Sequence, residues 1–369
     1  MIRNHIILIL SLSLISIVKA QDFQFSQPFS SSIYLNPAFT GNGILVCTEI
    51  KEWKELANFK GTAQFRTQWN GKFQSSLAAI EHSRQKSNWS FGVYFINDVL
   101  NPIHLTNNYT AICASVNVAK DPDWIVKFGY QLGFGNRFLS QKNFDFADEF
   151  NGTGFNTSTT AENPFTGISK FYIDLASIGI LIQHKSLFLG ASGYHLSQPN
   201  NSLWNGEDVL KRKLAIQGGV VLDFKTARST RQSLPSGYRL YLVSTFKNQA
   251  GSQQWDGGSY IEYATPVGDQ YYLLHLGGWY RGIPLRKAPD KFAQNDAFVA
   301  IFGIQRNMIR LLYSYDVPLS NALNFGISHE ISILAQITSH KCRRDRPFGA
   351  IPCNAKTKYK GRSRTIWRN

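Results

Sequence analysis

The chain has 369 residues, 39 Lys or Arg against 24 Asp or Glu, a formal net charge of +15, 14% aromatic residues and 29 glycines. That length suits two average domains or one large β structure, and the aromatic and glycine content argues against a helical protein. The charge is local: residues 341–369 hold ten cations against one Asp, and Arg3 and Lys19 add two more, leaving +4 on the body, which calls for no acidic partner.

Residues 1–20 read as a secretory signal peptide, with Arg3 in a basic head, an apolar run from Ile6 to Val18 and small Ala20 before the expected cut. The run is too short to cross a bilayer about 30 Å thick as a helix, so the mature chain is expected to be exported. It would open QDFQFSQPFSSSIYLNPAFTG, residues 21–41, which fits neither helical nor strand periodicity. Asn36-Pro37 marks a turn, because proline fixes its own φ and pushes the preceding residue out of the helical region. Residues 21–57 are therefore read as a lead segment ahead of the first strand.

From there apolar residues recur at period two. Phe59, Gly61, Ala63, Phe65, Thr67 and Trp69 oppose Lys60, Thr62, Gln64, Arg66 and Gln68. Trp124, Val126, Phe128, Tyr130, Leu132 and Phe134 oppose Lys127, Gly129, Gln131, Gly133 and Gly135. Near the end Phe325, Ile327, Ile331 and Ile333 oppose Asn324, Gly326, Ser328, Glu330 and Ser332. Strands are expected at 58–69, 73–83, 87–97, 105–118, 124–138, 171–183, 186–196, 213–224, 238–247, 252–264, 270–281, 295–305, 308–316 and 323–335. Ordinary strands average about five or six residues, whereas a tilted membrane-spanning strand needs about nine to eleven. The reading is all-β: a transmembrane antiparallel barrel of about 14 strands over 58–335, with a basic periplasmic tail over 336–369.

The connections agree with outer-membrane barrels, which pair short periplasmic turns with longer outer loops. With the N-terminus periplasmic, the long connections 139–170, 197–212 and 282–294 fall outside, and 225–237 is the inner exception. The apolar face then meets lipid and the Lys, Gln, Ser and Gly face meets a polar lumen. Trp69, Trp89, Trp124 and Trp279 are expected as interfacial girdle residues. The competing reading is a soluble sandwich with an aromatic core.

Catalytic constellations are not found, and no cofactor or metal is expected. The histidines (His82, His104, His184, His195, His275, His329, His340) stand singly, without HxxxH spacing. Asp148 and Glu149 sit in a loop as solvated acids or cation ligands, and Asp223 and Glu262 are expected to face the lumen. Asn-X-Ser/Thr triplets at Asn88, Asn108, Asn151, Asn156 and Asn200 carry no weight. Of Cys47, Cys113, Cys342 and Cys353, the last two flank a short loop. They either form a disulfide in an oxidising compartment, stay reduced, or bind metal. The tail interleaves cations with Tyr359 and Trp367, suited to acidic partners or lipid headgroups; nucleic acid is not expected for an exported chain.

QDFQFSQ followed by YLNPAFTG resembles the mature start of the PorP/SprF family, outer-membrane proteins of the type IX secretion system in Bacteroidetes. Gln21, Asp22, Phe25, Ser26, Gln27, Asn36, Pro37, Ala38 and Gly41 match the family pattern. NFGISHEISI is similar to its closing strand at Ser328, His329 and Glu330. IPC at 351–353 is similar to the tail of some members, although the chain continues NAKTK in place of the family's Pro-Arg-Phe. The resemblance implies a barrel without enzymatic activity in the outer membrane. It would serve export or surface anchoring of a secreted cargo with a C-terminal sorting domain, some such cargoes being very large gliding adhesins. Implied partners are that cargo, the type IX translocon, periplasmic ring or motor components, and outer-membrane lipid. The outer loops would grip the sorting domain, with Phe165 and Trp204 as candidate anchors. Residues 21–57 would then be a periplasmic or lumen-entering lead segment, for which two readings stay open, a plug and a partner-docking segment. The competing function is an outer-membrane channel for small or hydrophobic solutes.

Overall fold

A computed structural model of the chain describes residues 22–42, 57–84, 87–120, 124–140, 150, 168–184, 186–203, 206, 208–225, 237–267, 270–288, 291–306, 309–319 and 326–338. The expected signal peptide, Gln21, Gly43, Cys47, Asp148, Glu149, Phe165, Trp204, Cys342, Cys353 and the basic tail beyond Thr338 lie outside these residues.

Fourteen strands form: β1 (Ala57–Gln68), β2 (Phe73–Arg84), β3 (Trp89–Leu100), β4 (Leu105–Lys120), β5 (Trp124–Leu139), β6 (Ile168–His184), β7 (Leu187–Tyr194), β8 (Lys213–Lys225), β9 (Gly237–Gln249), β10 (Ser252–Val267), β11 (Gln270–Ala288), β12 (Lys291–Arg306), β13 (Ile309–Pro318) and β14 (Ser328–Thr338). Each pairs antiparallel with its sequence neighbours, and β1 pairs with β14, from Asn58 opposite Thr338 to Gln68 opposite Ser328, so the ring is closed. Closure leaves no strand edge along the shared height, which is how a sheet satisfies its backbone in hydrocarbon.

Every expected strand is present. The expected outer loop 282–294 is instead mostly strand, with Ala288 opposite Lys291. Register irregularities after Arg281 and Pro284 break the alternation that periodicity relies on. β14 starts at Ser328; positions 323–325 of the expected strand lie outside the described residues, and Gly326 takes a φ of +100°, outside the strand region.

The faces are inverted relative to a water-soluble protein. Phe65, Ile80, Phe91, Phe128, Leu214 and Phe302 are exposed on the outside, while Lys60, Arg66, Glu81, Lys127, Gln131 and Gln217 are buried facing in. Trp89 and Trp124 lie on the outer face as expected of girdle residues, but Trp279 does not. Trp279 shares the parity of the buried lumenal His275 and Arg281 and packs against Phe29 and Tyr260. Among the described residues no helix is long and apolar enough to cross a membrane.

We term the rim carrying the start of β1 and the end of β14 the lower rim, and the rim carrying the β1–β2 turn the upper rim. The upper rim mixes short turns with the long β5–β6 and β7–β8 connections. The β9–β10 turn is Ala250-Gly251, both at positive φ, as two-residue hairpins require. Residues 22–42 lie inside the ring, descending from Asp22 beside Lys213 and Gln249 at the upper rim to Asn42 beside Lys60 and Lys127 near the lower one. The apolar core sits between this segment and the wall. Phe25 and Ile33 pack with Leu77, Tyr94, Ile96 and Tyr109; Phe29, Leu35 and Phe39 pack with Phe188, Tyr241 and Trp279.

Candidate functional site: the segment in the lumen

The segment is held at three heights, and each anchor uses residues of the two motifs QDFQFSQ and YLNPAFTG. At the top, Asp22 accepts from Lys213 Nζ at 2.5 Å, His195 Nε2 at 2.7 Å and Gln249 Nε2 at 2.9 Å. Its backbone N–H donates to Gln249 Oε1 at 2.8 Å. The other ring nitrogen of His195 reaches Asp174 Oδ2 at 2.8 Å. Asp174 is available because the β5–β6 register shifts between Gln131 and Gly133, a bulge that turns both Asp174 and Ser177 inward. Burial alone would lower the basicity of the His195 imidazole, but the two flanking carboxylates outweigh it and raise the pKa to about 9. Burial would likewise raise the pKa of Asp22; the charges of His195 and Lys213 prevail and hold it well below the usual carboxylate range. The top anchor is thus a buried ionic cluster with His195 protonated at neutral pH.

In the middle, Glu330 on β14 accepts from the backbone N–H of Ser26 at 2.5 Å and of Gln27 at 3.1 Å. The Ser26 hydroxyl bonds Asp316 on β13, which also pairs with Arg66 at 2.8 Å and Arg281 at 3.4 Å. Arg66 Nη1 donates to the Gln24 carbonyl at 2.7 Å. Gln27 Oε1 accepts from Ser332 Oγ at 2.6 Å. Phe25 is buried and meets Tyr34 edge-on at 5.9 Å. Successive backbone amides on one carboxylate form charge-assisted bonds, worth about twice their neutral counterparts.

At the bottom, a one-turn helix α1 (Ser32–Leu35) stops at Asn36, which is extended as the proline after it demands. The Asn36 side chain caps the next turn by accepting from Ala38 N–H at 2.9 Å. Its Nδ2 donates to the Ile180 and Ala191 carbonyls and to Gln217, at 3.1–3.2 Å. This fit needs a bare wall: a Cβ on Gly179 would lie 2.0 Å from Asn36 Oδ1, and one on Gly129 2.2 Å from the Ala38 nitrogen. The Thr40 carbonyl accepts from Lys127 at 2.7 Å and Ser115 at 2.9 Å. Gly41, at φ +73°, donates its N–H to Glu81 at 2.7 Å.

Asp22, Phe25, Ser26, Gln27, Asn36, Pro37, Ala38 and Gly41 are therefore all brought into the lumen, and Ser328 and Glu330 face them from the wall. His329 points the other way and bonds the Tyr313 hydroxyl on the outer side at 2.7 Å. Glu262 faces in, bonded to Tyr241 and Arg239; the Asp223 side chain lies outside the description. Sequence reasoning missed Asp174, His195 and Lys213 as a set. A lone histidine after a strand carries no periodic signal, and the bulge that aims Asp174 is invisible to alternation.

No curated protein matches the sequence. Solved structures with likeness to it include CdiB from Acinetobacter baumannii (9% identity over 76% of this chain and 60% of that one, TM-score 0.38). Others are a Pseudomonas aeruginosa FadL homologue (13%, 78% and 90%, TM-score 0.36) and BamA from Haemophilus ducreyi lacking POTRA domains 1–3 (10%, 82% and 76%, TM-score 0.36). Likeness at this level carries no argument about activity. The sequence itself is more telling: the family model described as Type IX secretion system membrane protein PorP/SprF matches residues 17–334, and the chain belongs to that family.

Proposed function

We propose that this barrel supports type IX secretion by holding an exported cargo protein at the outer face of the outer membrane, without chemistry of its own. The observation that carries the reading is the family match over nearly the whole barrel. In this reading the lower rim faces the periplasm and the upper rim, with the long connections 140–167 and 195–212, faces outside. The cargo carries a C-terminal sorting domain and includes, among candidates, a gliding adhesin; translocon and periplasmic ring or motor components dock from below. Residues 22–42 act as a plug. Their anchors at three heights support this role, and they speak against a constitutively open channel for solutes.

Deleting the gene and comparing the surface-exposed proteins of mutant and parent tests the reading. Loss of one or a few surface proteins, restored by complementation, is expected. An unchanged surface proteome overturns it.

A further inference from the structure

The barrel wall has a step. β6 pairs with β5 along its whole length, from Ile168 opposite Leu139 to His184 opposite Trp124. β7 is short, and its last partner on β6 is Ile178, opposite Gly193. At His195 the backbone turns to φ 55° and leaves the sheet. Two bonds finish the junction: Leu196 N–H to the Ala176 carbonyl at 2.9 Å and Leu175 N–H to Ser197 Oγ at 3.1 Å. Above them, Ile168–Asp174 has no backbone partner on the β7 side among the described residues.

Among the described residues the departing chain does not return to that edge but folds inward. His195 is buried between Asp174 and Asp22, and the carbonyl of buried Asn201 accepts from Arg137 at 3.2 Å. The edge stands above the lipid. A span of about nine to eleven residues, counted up β5 from Trp124, ends near Gly133, and Gly133 is opposite Asp174. On this raised part Phe171 is 75% exposed and Ile173 53%. Natural edge strands in water are normally blunted by charge, proline or cover, and exposed apolar patches on such surfaces mark contact sites.

We propose that Ile168–Asp174 of β6 is a docking edge for an extended segment of the exported partner, added as an antiparallel or parallel strand. This rests on the reading that the upper rim faces outside. Free backbone donors and acceptors in a row select an extended chain, and the outward Phe171 and Ile173 select apolar residues at every second position of it. Among the described residues Lys170, Lys211 and Arg212 border the step against Asp208, a cationic surround that selects an acidic segment. A second copy does not fit. Two barrels in one membrane are related by rotation about its normal, so their β6 strands, each tilted by about 35–45°, would cross at twice that angle and form no ladder.

The test uses the deletion strain complemented with the double variant Phe171→Lys/Ile173→Lys, and with Leu319→Lys, an exposed apolar residue elsewhere on the upper rim. Heat-modifiable migration on gels verifies that both fold. The double variant is expected to lower the surface level of the affected cargo about tenfold, and Leu319→Lys to leave it unchanged. Single cysteines at Ser169 and Ile173 should then form disulfides with cysteines at every second position of one cargo segment. Normal cargo levels with a folded double variant, crosslinks without two-residue spacing, or crosslinks between two copies of the barrel each overturn the docking edge while leaving the secretion reading intact. If deletion itself removes no surface protein, both fall together.

Discussion

Replacing Gly129 by alanine adds one methyl group to the lumenal face of β5, where the Asn-Pro-Ala turn rests on the wall. The new Cβ would lie 2.2 Å from the Ala38 nitrogen and the Pro37 carbonyl carbon, and 2.5 Å from the Pro37 oxygen. Unstrained contacts of this kind sit near 3.5 Å or more, so the turn must retreat by roughly 1 Å. The Asn36 bonds span only 2.9–3.2 Å and have no such slack. Overpacking costs about 1–3 kcal/mol, and each lost bond about 0.5–1.5 kcal/mol, so the lower anchor loses on the order of 3–5 kcal/mol. The strand itself gains slightly from the substitution, since alanine has less backbone freedom to lose than glycine. The wall should therefore persist while the segment yields. Gly61→Ala is the control, because its Cβ points outward and its nearest neighbour is the Ala335 oxygen at 4.0 Å. In purified protein, Gly129→Ala should keep heat-modifiable migration yet show faster protease cleavage within residues 22–42 and larger single-channel conductance in planar bilayers. Wild-type protection and conductance in a folded Gly129→Ala protein would refute the packing argument.

The top anchor titrates separately. His195, raised from 6.5 to about 9 by Asp22 and Asp174, contributes fully below pH 6.5 and loses its contribution as pH rises through about 9. A rise of that size corresponds to roughly 3 kcal/mol. The protection of amides near Phe23, relative to the intrinsic exchange rate at each pH, should therefore be high at pH 6 and fall above about pH 9, and His195→Ala should abolish the transition; a profile unaffected by that substitution would sink the assignment. On the outer face, Phe128→Arg places a cation near the bilayer middle at a cost of about 2–4 kcal/mol. The urea midpoint for unfolding in lipid vesicles should drop accordingly, and an unchanged midpoint would mean that this face does not meet hydrocarbon.

The wall was legible because a lipid-facing barrel imposes one pattern on every strand. Phe59 to Arg66 and Trp124 to Gly135 alternate in sequence and alternate in space. Legibility failed where alternation is locally broken. Pro284 and the adjoining bulge hid the extension of β11, and Gly326 mimicked strand continuity while turning the chain. Trp279 was misassigned by residue type although its parity with His275 and Arg281 pointed inward. The lumenal segment was legible only as something other than strand or helix. Its partners are lone residues on distant strands, such as Asp174, Lys213 and Gly129, and nothing local in the sequence links them to Asp22 or Asn36.

The middle anchor also bears on the order of assembly. β1 and β14 must meet across the largest sequence separation in the ring, the encounter with the steepest entropic cost. Ser26, Gln27 and Gln24 bind Gln64 and Arg66 on one side of that seam and Asp316, Glu330 and Ser332 on the other. Residues 24–27 thus act as a clasp that bridges the two ends of the sheet. A barrel built this way closes around its own beginning, and a chain lacking residues 22–27 would close late or not at all.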